Sequence, residues 1–483
     1  MSKIIKQLRP EVISRTAARC RERGVIIPTF AQLRDPALVP EAVRRRLADV
    51  GIDEVDPLNL FRITWKNDVA GGLYGGVNFI ELPRQVTGVS ARIVGLVGKY
   101  FPTGAHKVGA AFGCLAPRLV SGEFDPQAHK AVWPSTGNFC RGGAFDCALL
   151  GCTSVAVLPE EMSAERFAWL RRIGAEVIAT PGCESNVKEI YDKCRELAAD
   201  PAYMIFNQFA EFGNPLFHYH VTGPAVAEAL SVSGGRLAAF VSATGSAGTI
   251  AAGDFLKTLA PQLKVVAVEA RQCPTLLQNG FGGHRIEGIG DKHVPWVHNI
   301  RNTDAVAAID DGDCLALLRL FNEEAGQKYL ETLGAAAVDI ARLPLLGISG
   351  ICNLLAAVKT ARYFELGAED VIFTVFTDSV ELYRSRLAEL RREQGPYGAA
   401  AAGRDHAAVL LHQGLDYYKE LGHYDRKAIH NLKYFTWVEQ QGKAVEELNA
   451  QWQPQYWQEI YDTEIAEFDR LIADFNREAG VRL

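Results

Sequence analysis

Between residues 90 and 385 the chain alternates short, β-branched apolar runs with stretches whose apolar residues recur at helical spacing. Ala131–Trp133, Ser154–Leu158, Glu176–Ala179, Ala239–Ser242, Val265–Val268 and Val371–Phe376 read as strands. Each is short and apolar, and most run into Gly, Pro or Ser, as expected of strands buried on both faces. Helices at Ala164–Ile173 and Gly347–Phe364 fall between them. Strands alternating with helices imply an α/β fold with a parallel, three-layer sheet. Ligands of such sheets bind beyond the carboxyl ends of the strands, so chemistry is sought in the loops that follow them.

The flanks have a different pattern. Residues 1–70 are charged and largely helical, with a helix around Pro40–Val50. The Gly/Ala-rich segment from Glu393 to Arg404 reads as a linker or loop, and Val380–Arg392 as a helix before it. Residues 405–483 are helical and rich in Tyr and Trp, among them Tyr417, Tyr418, Tyr434, Trp437, Trp452, Tyr456, Trp457 and Tyr461. Such a stripe is expected in a core or an oligomer contact before a cofactor site.

At 483 residues the chain exceeds one ordinary core, so two to three domains are expected. A net charge of −6 with no dominant basic face argues against a nucleic-acid partner. No apolar run reaches the roughly 18 to 20 residues that span a bilayer, and the N-terminus lacks the apolar segment of a signal peptide. A soluble cytoplasmic protein without membrane contact is the expectation. The ten cysteines include no Cys-x-x-Cys pair, and several sit among small or apolar residues, which predicts buried, reduced thiols.

Candidate chemistry starts at Lys107, in Phe101-Pro102-Thr103-Gly104-Ala105-His106-Lys107 ahead of an apolar helix from Val108 to Ala116. The first turn of that helix presents Lys107 at an interior edge, where an isolated ammonium is disfavoured. A Schiff-base lysine of lowered pKa fits, against the alternative of a lysine that snorkels to solvent. The Ser135-Thr136-Gly137-Asn138 loop follows a strand and opens a helix; its hydroxyls, amide and free N–H groups suit a carboxylate, although an ordinary helix cap has the same composition. Gly245-Ser246-Ala247-Gly248-Thr249 follows the next strand group and suits a single phosphomonoester at a helix N-terminus, against a purely structural turn. Thr377-Asp378-Ser379 ends the last strand and can bond a heterocyclic nitrogen, or cap the next helix through Ser379. An amine, an anion cradle and a partner for a ring nitrogen together make the case for pyridoxal 5′-phosphate.

These segments resemble fold-type II pyridoxal-phosphate enzymes of the cysteine synthase, cystathionine β-synthase and tryptophan synthase β-subunit superfamily, over residues 95–385. Thr103–Lys107 is similar to the Schiff-base segment of the tryptophan synthase β-subunit. Ser135–Asn138 is similar to the cysteine synthase loop whose Asn bonds the cofactor 3′-oxygen while the loop holds the substrate carboxylate. Gln208-Phe209, Asn214-Pro215, His218 and Thr222-Gly223-Pro224 follow in the family's order, which implies a carboxylate contact for Gln208. Gly245–Thr249 resembles the phosphate loop, His284–Gly290 the Ile-x-Gly-Ile-Gly segment, and Gly347-Ile348-Ser349-Gly350 the superfamily's Gly-Ile-Ser-Ser-Gly turn.

The resemblance implies two three-layer domains with helical N- and C-terminal extensions. Residues 1–90 would be the N-terminal extension, 91–117 with 226–393 the large cofactor domain, 118–225 the small substrate-loop domain, and 394–483 the C-terminal extension. It also implies a homodimer. Asp378 aligns with the family's serine facing the pyridine nitrogen, and a carboxylate there favours the pyridinium. Phe139-Cys140 replace Thr-Gly, making the pocket bulkier and less polar. The expected function is β-elimination or β-replacement on a cysteine- or O-acylserine-like amino acid. Alternatives are carbon–carbon chemistry, as in the β-subunit of an amino-oxo-acid thiolase with a partner chain, and a non-catalytic cofactor-binding scaffold. A metal-dependent lyase has little support, because His218 and His220 lack a ligand pattern.

Overall fold

The computed structural model describes residues 4–70, 72–135, 137–182, 187–290 and 292–481. Eleven strands are described: β1 Phe79–Glu81, β2 Arg92–Val97, β3 Lys130–Pro134, β4 Thr153–Pro159, β5 Glu176–Thr180, β6 Tyr203–Ile205, β7 Arg236–Ala243, β8 Lys264–Ala270, β9 Ala305–Ile309, β10 Asp370–Phe376 and β11 Tyr418–Glu420. They form a seven-stranded sheet, β1-β2-β10-β7-β8-β9-β11, and a four-stranded sheet, β5-β4-β3-β6. The smaller sheet is wholly parallel. In the larger, only the edge strands β1 and β11 run antiparallel to their neighbours. All six strands read from the apolar runs are present, and β10 is buried along its whole length.

Helices cover both sheets. The Ile348–Tyr363 helix is buried from Ile348 to Ala361, and the Lys107–Val120 helix is buried except at Lys107 and Arg118. The Asn138–Leu150 helix crosses the latter at Gly142, where a Cβ would lie 2.7 Å from the Val108 Cα. That close approach sets the start of the helix carrying Asn138 beside the start of the helix carrying Lys107. Among the described residues no single helix is long and apolar enough to cross a membrane.

Several expectations about the C-terminal third need correction. The proposed linker is largely helix, Ala399–Asp405, because a run of four alanines favours helix once it can pack. The helix expected over Val380–Arg392 is split into a 3₁₀ turn at Val380–Leu382 and a helix at Arg384–Gln394, and Ser379 makes no side-chain cap to either. Beyond them, β11 pairs with β9, so the C-terminal extension supplies one edge of the large sheet. Trp437, Tyr456, Trp457 and Tyr461 are buried in the same core as Phe30 and Phe112. The aromatic stripe is therefore core at these positions, whereas Tyr424 and Phe435 are exposed.

Candidate active site

Lys107 opens its helix at the end of a cleft, and its Nζ donates to Ser246 Oγ at 3.1 Å. No carboxylate lies within ion-pair distance of it among the described residues. Loss of solvent pulls its pKa down from 10.5 to about 8. A lysine so placed is a neutral amine for a large fraction of the time near pH 8, which is the form that attacks a carbonyl.

The preceding residue ties this lysine to the rest of the site. His106 Nε2 lies 3.2 Å from Thr249 Oγ1, and its ring stacks on Trp65 and meets His218 edge-on at 5.1 Å. Burial, with Lys107 adding to it, pushes the His106 pKa down to about 3, and burial pushes His218 down as well. Both imidazoles are therefore neutral near pH 7.

Ser246 and Thr249 belong to the loop between β7 and the Ala251–Leu259 helix. The backbone N–H groups from Gly245 to Thr249 find no acceptor among the described residues. Ala247 holds a left-handed backbone with φ of 56°, an unfavourable conformation for a residue with a Cβ. Unpaired donors gathered in a turn at the start of a helix form an anion cradle. Asn214 Nδ2 donates to Ser246 Oγ at 3.0 Å and to the Gln208 carbonyl at 2.9 Å, fixing the loop to the segment that carries Gln208.

Among the described residues of the Ser135–Asn138 segment, no side chain caps the helix that starts at Asn138. Ser135 Oγ instead accepts from the Gly137 N–H at 3.1 Å. Gly137 has φ of 155° and ψ of −77°, and a Cβ there would lie 2.5 Å from Arg166 Nε, so glycine is required twice over. Thr136 lies outside the described residues.

Asn138 Nδ2 donates to Asp378 Oδ2 at 2.6 Å, while Asn138 Oδ1 is buried without a partner. The same Asp378 oxygen accepts from Tyr383 Oη at 2.7 Å and lies 3.9 Å from Arg166. Arg166, itself fully buried, pairs with Glu287, which also accepts from Arg386 at 2.6 Å. Burial pushes the Asp378 carboxyl up, against the opposing pull of Arg166 and of its hydrogen bonds to Asn138 and Tyr383.

Lys107, Ser135, Asn138, Gln208, Gly245 and Ser246 line one narrow cleft with about 20 Å³ of open volume. Ala247, Gly248 and Thr249 continue the loop beyond the cleft walls, and Thr377, Asp378 and Ser379 lie off them. Thr377 is engaged through its carbonyl, which accepts from the His106 N–H. Sequence reading placed Phe139 in the pocket but missed Phe209 and Gly288–Gly290 as walls, and Asn214, Arg166, Tyr383 and Glu287 as supports. The Phe139 substitution and the Gly-Ile-Gly segment were visible signals; the buried arginine gave none. Ser349 has a buried hydroxyl without a partner, in a turn recognised only as a turn.

These features fit a phosphate-bearing aldehyde: an amine without a counter-ion, an unsatisfied row of N–H donors, and an asparagine with one N–H still free. The family model for pyridoxal-phosphate dependent enzymes matches residues 73–350, more than half of the chain. Cysteine synthase of Staphylococcus aureus is 28% identical over 314 residues, which are 65% of this chain and 94% of that protein. A probable cysteine synthase of Bacillus subtilis is 29% identical over 315 residues, again 65% of this chain and 94% of the relative. Among solved structures, a hydrogen sulfide-producing enzyme from Fusobacterium nucleatum aligns with a TM-score of 0.55 at 25% identity, covering 63% of this chain and 95% of that one. With its lysine, anion cradle and cleft in the order read from the sequence, the chain belongs to the pyridoxal-phosphate dependent enzyme family.

Proposed function

We propose that this chain catalyses β-elimination or β-replacement on a cysteine- or O-acylserine-like amino acid. The observation that carries the reading is the Lys107 Nζ, desolvated and without a counter-ion, in one cleft with Ser135, Asn138 and Gln208. Its cysteine synthase relatives support the same reaction class. Bound pyridoxal phosphate would supply an electron sink at the substrate Cα. Lys107 would hold the cofactor and then take the Cα proton on Nζ, while the group at Cβ departs with its bonding pair. Gly245, Ser246, Ala247, Gly248 and Thr249 would bind the phosphate. Ser135, Thr136, Gly137, Asn138 and Gln208 would orient the substrate carboxylate, so that the bond to be broken is aligned before reaction. The second N–H of Asn138 would serve the 3′-oxygen, and Phe139 with Phe209 would exclude water.

For the ring nitrogen, Thr377, Asp378 and Ser379 are the candidates carried from the sequence. The Asp378 carboxylate already accepts from two donors, and Ser349 offers an unpartnered hydroxyl as a competitor. A carboxylate in that role favours the second reading, carbon–carbon chemistry with a partner subunit. A second chain that co-purifies and is needed for activity would identify it.

We further assign residues 118–225 to a small substrate-loop domain, 91–117 with 226–393 to a large cofactor-binding domain, and the protein to a cytoplasmic homodimer. Nine free cysteines among the described residues support a reducing compartment, and burial pushes the Cys140 and Cys152 thiols up to about 12. Among the described residues no group of metal ligands forms around His218 or His220, which bond Thr222 and the Tyr461 carbonyl instead. The reaction is tested by offering L-cysteine, O-acetylserine and S-substituted cysteines to the holoenzyme. Release of sulfide, acetate or pyruvate with a change in the cofactor absorbance is expected; no response to any of them rejects the reading.

A further inference from the structure

We propose that a cavity between the C-terminal helix and the Ala251–Leu259 helix is a second binding site, for a free α-amino acid in its zwitterionic form. The cavity holds about 400 Å³, and its lining includes Tyr219, Trp457, Tyr461 and Asp462 together with Asn299 and Arg301. That size suits a small metabolite.

Its polar groups divide into those already engaged and those left open. Asp254, the buried carboxylate of the lining, accepts from Asn302 at 2.5 Å, Tyr461 Oη at 2.7 Å and Asn299 at 3.1 Å. Lys257 is held by Asp304 at 2.6 Å and the Asn302 carbonyl at 2.9 Å. Both are scaffold. Asn299 Oδ1, by contrast, is buried with no donor. Asp462 is exposed at the rim and makes no ion pair among the described residues. Arg301 donates one N–H to the Trp452 carbonyl and has no carboxylate partner among the described residues.

The open groups are therefore one acceptor, one anion and one cation around an aromatic floor. An ammonium group carries the N–H donors that Asn299 and Asp462 lack, and a carboxylate matches the rest of the Arg301 fork. A simple amine would leave Arg301 unmatched, and a simple acid would leave Asn299 and Asp462 unmatched. The side chain of the ligand would lie against Trp457 and the Tyr219–Tyr461 pair, whose rings stack at 3.9 Å.

Two walls of this cavity lead to the catalytic cleft. Tyr219 shares a single π-helical turn with His218, which contacts His106 beside Lys107. The Ala251–Leu259 helix begins where the anion cradle ends. An occupant can thus report on, or bias, the cofactor site. The binding claim itself does not depend on the proposed reaction.

The test is calorimetric titration of the holoenzyme with L-serine, L-methionine and L-phenylalanine, each beside its amine lacking the carboxylate and its acid lacking the amine. Binding of one of the amino acids at a site separate from the cofactor, without binding of its two truncated analogues there, is expected. R301Q and D462N, both at exposed positions, are each expected to weaken that site roughly tenfold or more while the cofactor absorbance response is unchanged. Absence of a separate site for all three amino acids overturns the proposal. So does a separate site that neither substitution weakens, or one that takes the truncated analogues equally well. Failure of the proposed reaction would be recognised separately, as a missing cofactor response with the second-site heat intact.

Discussion

Asn138 and Asp378, 240 positions apart in the chain, meet in a buried 2.6 Å hydrogen bond between the amide and the carboxylate. The bond joins the loop after β3 to the loop after β10, and so couples the small sheet to the large one at the cleft. Removing the carboxylate leaves Arg166 and Arg141 with less compensation, and burial already holds the Arg141 pKa down at about 10. Asp378→Ala is expected to cost about 3–5 kcal/mol in urea unfolding. A change below 1 kcal/mol would mean that solvent, not Asp378, compensates the arginines.

Lys107→Ala is expected to lower turnover by about 10³-fold or more and to remove the lysine-dependent visible absorbance of the cofactor. The same substitution should stabilise the protein without cofactor. Nζ titrates at about 8 when folded against 10.5 as a free side chain, so the unfolded chain binds the extra proton between these values. Wild-type stability then rises with pH through that window, and below pH 8 the full penalty of about 3 kcal/mol applies. The gain from alanine is expected to be largest at pH 7 and to shrink toward pH 10.

Cofactor uptake should follow the same group. The rate of reconstitution with pyridoxal phosphate is expected to increase from pH 7 to 9 with a midpoint near 8, because only the neutral amine reacts. Stopped-flow absorbance measures it directly, and a flat profile would show that Nζ is not the titrating nucleophile.

Gly137→Ala places a methyl group on the Arg166 guanidinium and forces a backbone that only glycine adopts. A loss of about 1–3 kcal/mol is expected, with KM for the amino acid raised more than kcat is lowered. Unfolding curves and steady-state kinetics separate the two effects.

Acid should unfold the protein steeply. His106 and His298 titrate at about 3 when folded against 6.5 unfolded, because burial disfavours their charged forms. Below pH 6.5 the unfolded chain takes up protons that the folded chain refuses, so each imidazole removes about 1.4 kcal/mol of stability per pH unit. His298→Asn is expected to make the fall in the urea midpoint between pH 6 and 4 shallower.

The strands that were legible are short apolar runs rich in β-branched and aromatic residues, such as β10. Those missed have composition working against them. In β9, Ala305-Val306-Ala307-Ala308-Ile309 carries three residues of strong helix propensity, and pairing with β8 overrides it. In β2, Gly95 interrupts the pattern because the Phe376 ring occupies the place of its side chain. The three-residue β11 is held by β9 alone and has no pattern of its own.

The candidate site was legible where function requires a run of neighbouring backbone groups. Lys107 at a helix start, the small residues of Gly245–Thr249 and the glycine of Ser135–Asn138 are local demands, written in consecutive positions. What tertiary structure decided was how distant charges share one interior. Arg166, Glu287 and Tyr383 each look like an ordinary polar residue in the chain, and Asp378 shows no sign there of its tie to them. Burial makes each of them depend on the others, since a charge removed from water needs a partner wherever the fold can bring one. By itself the sequence determined the family, and it singled out Lys107 and the loops around it as the candidate site. Which side chains hold those loops, and whether Asp378 serves the cofactor or Asn138, depended on packing between segments more than two hundred residues apart.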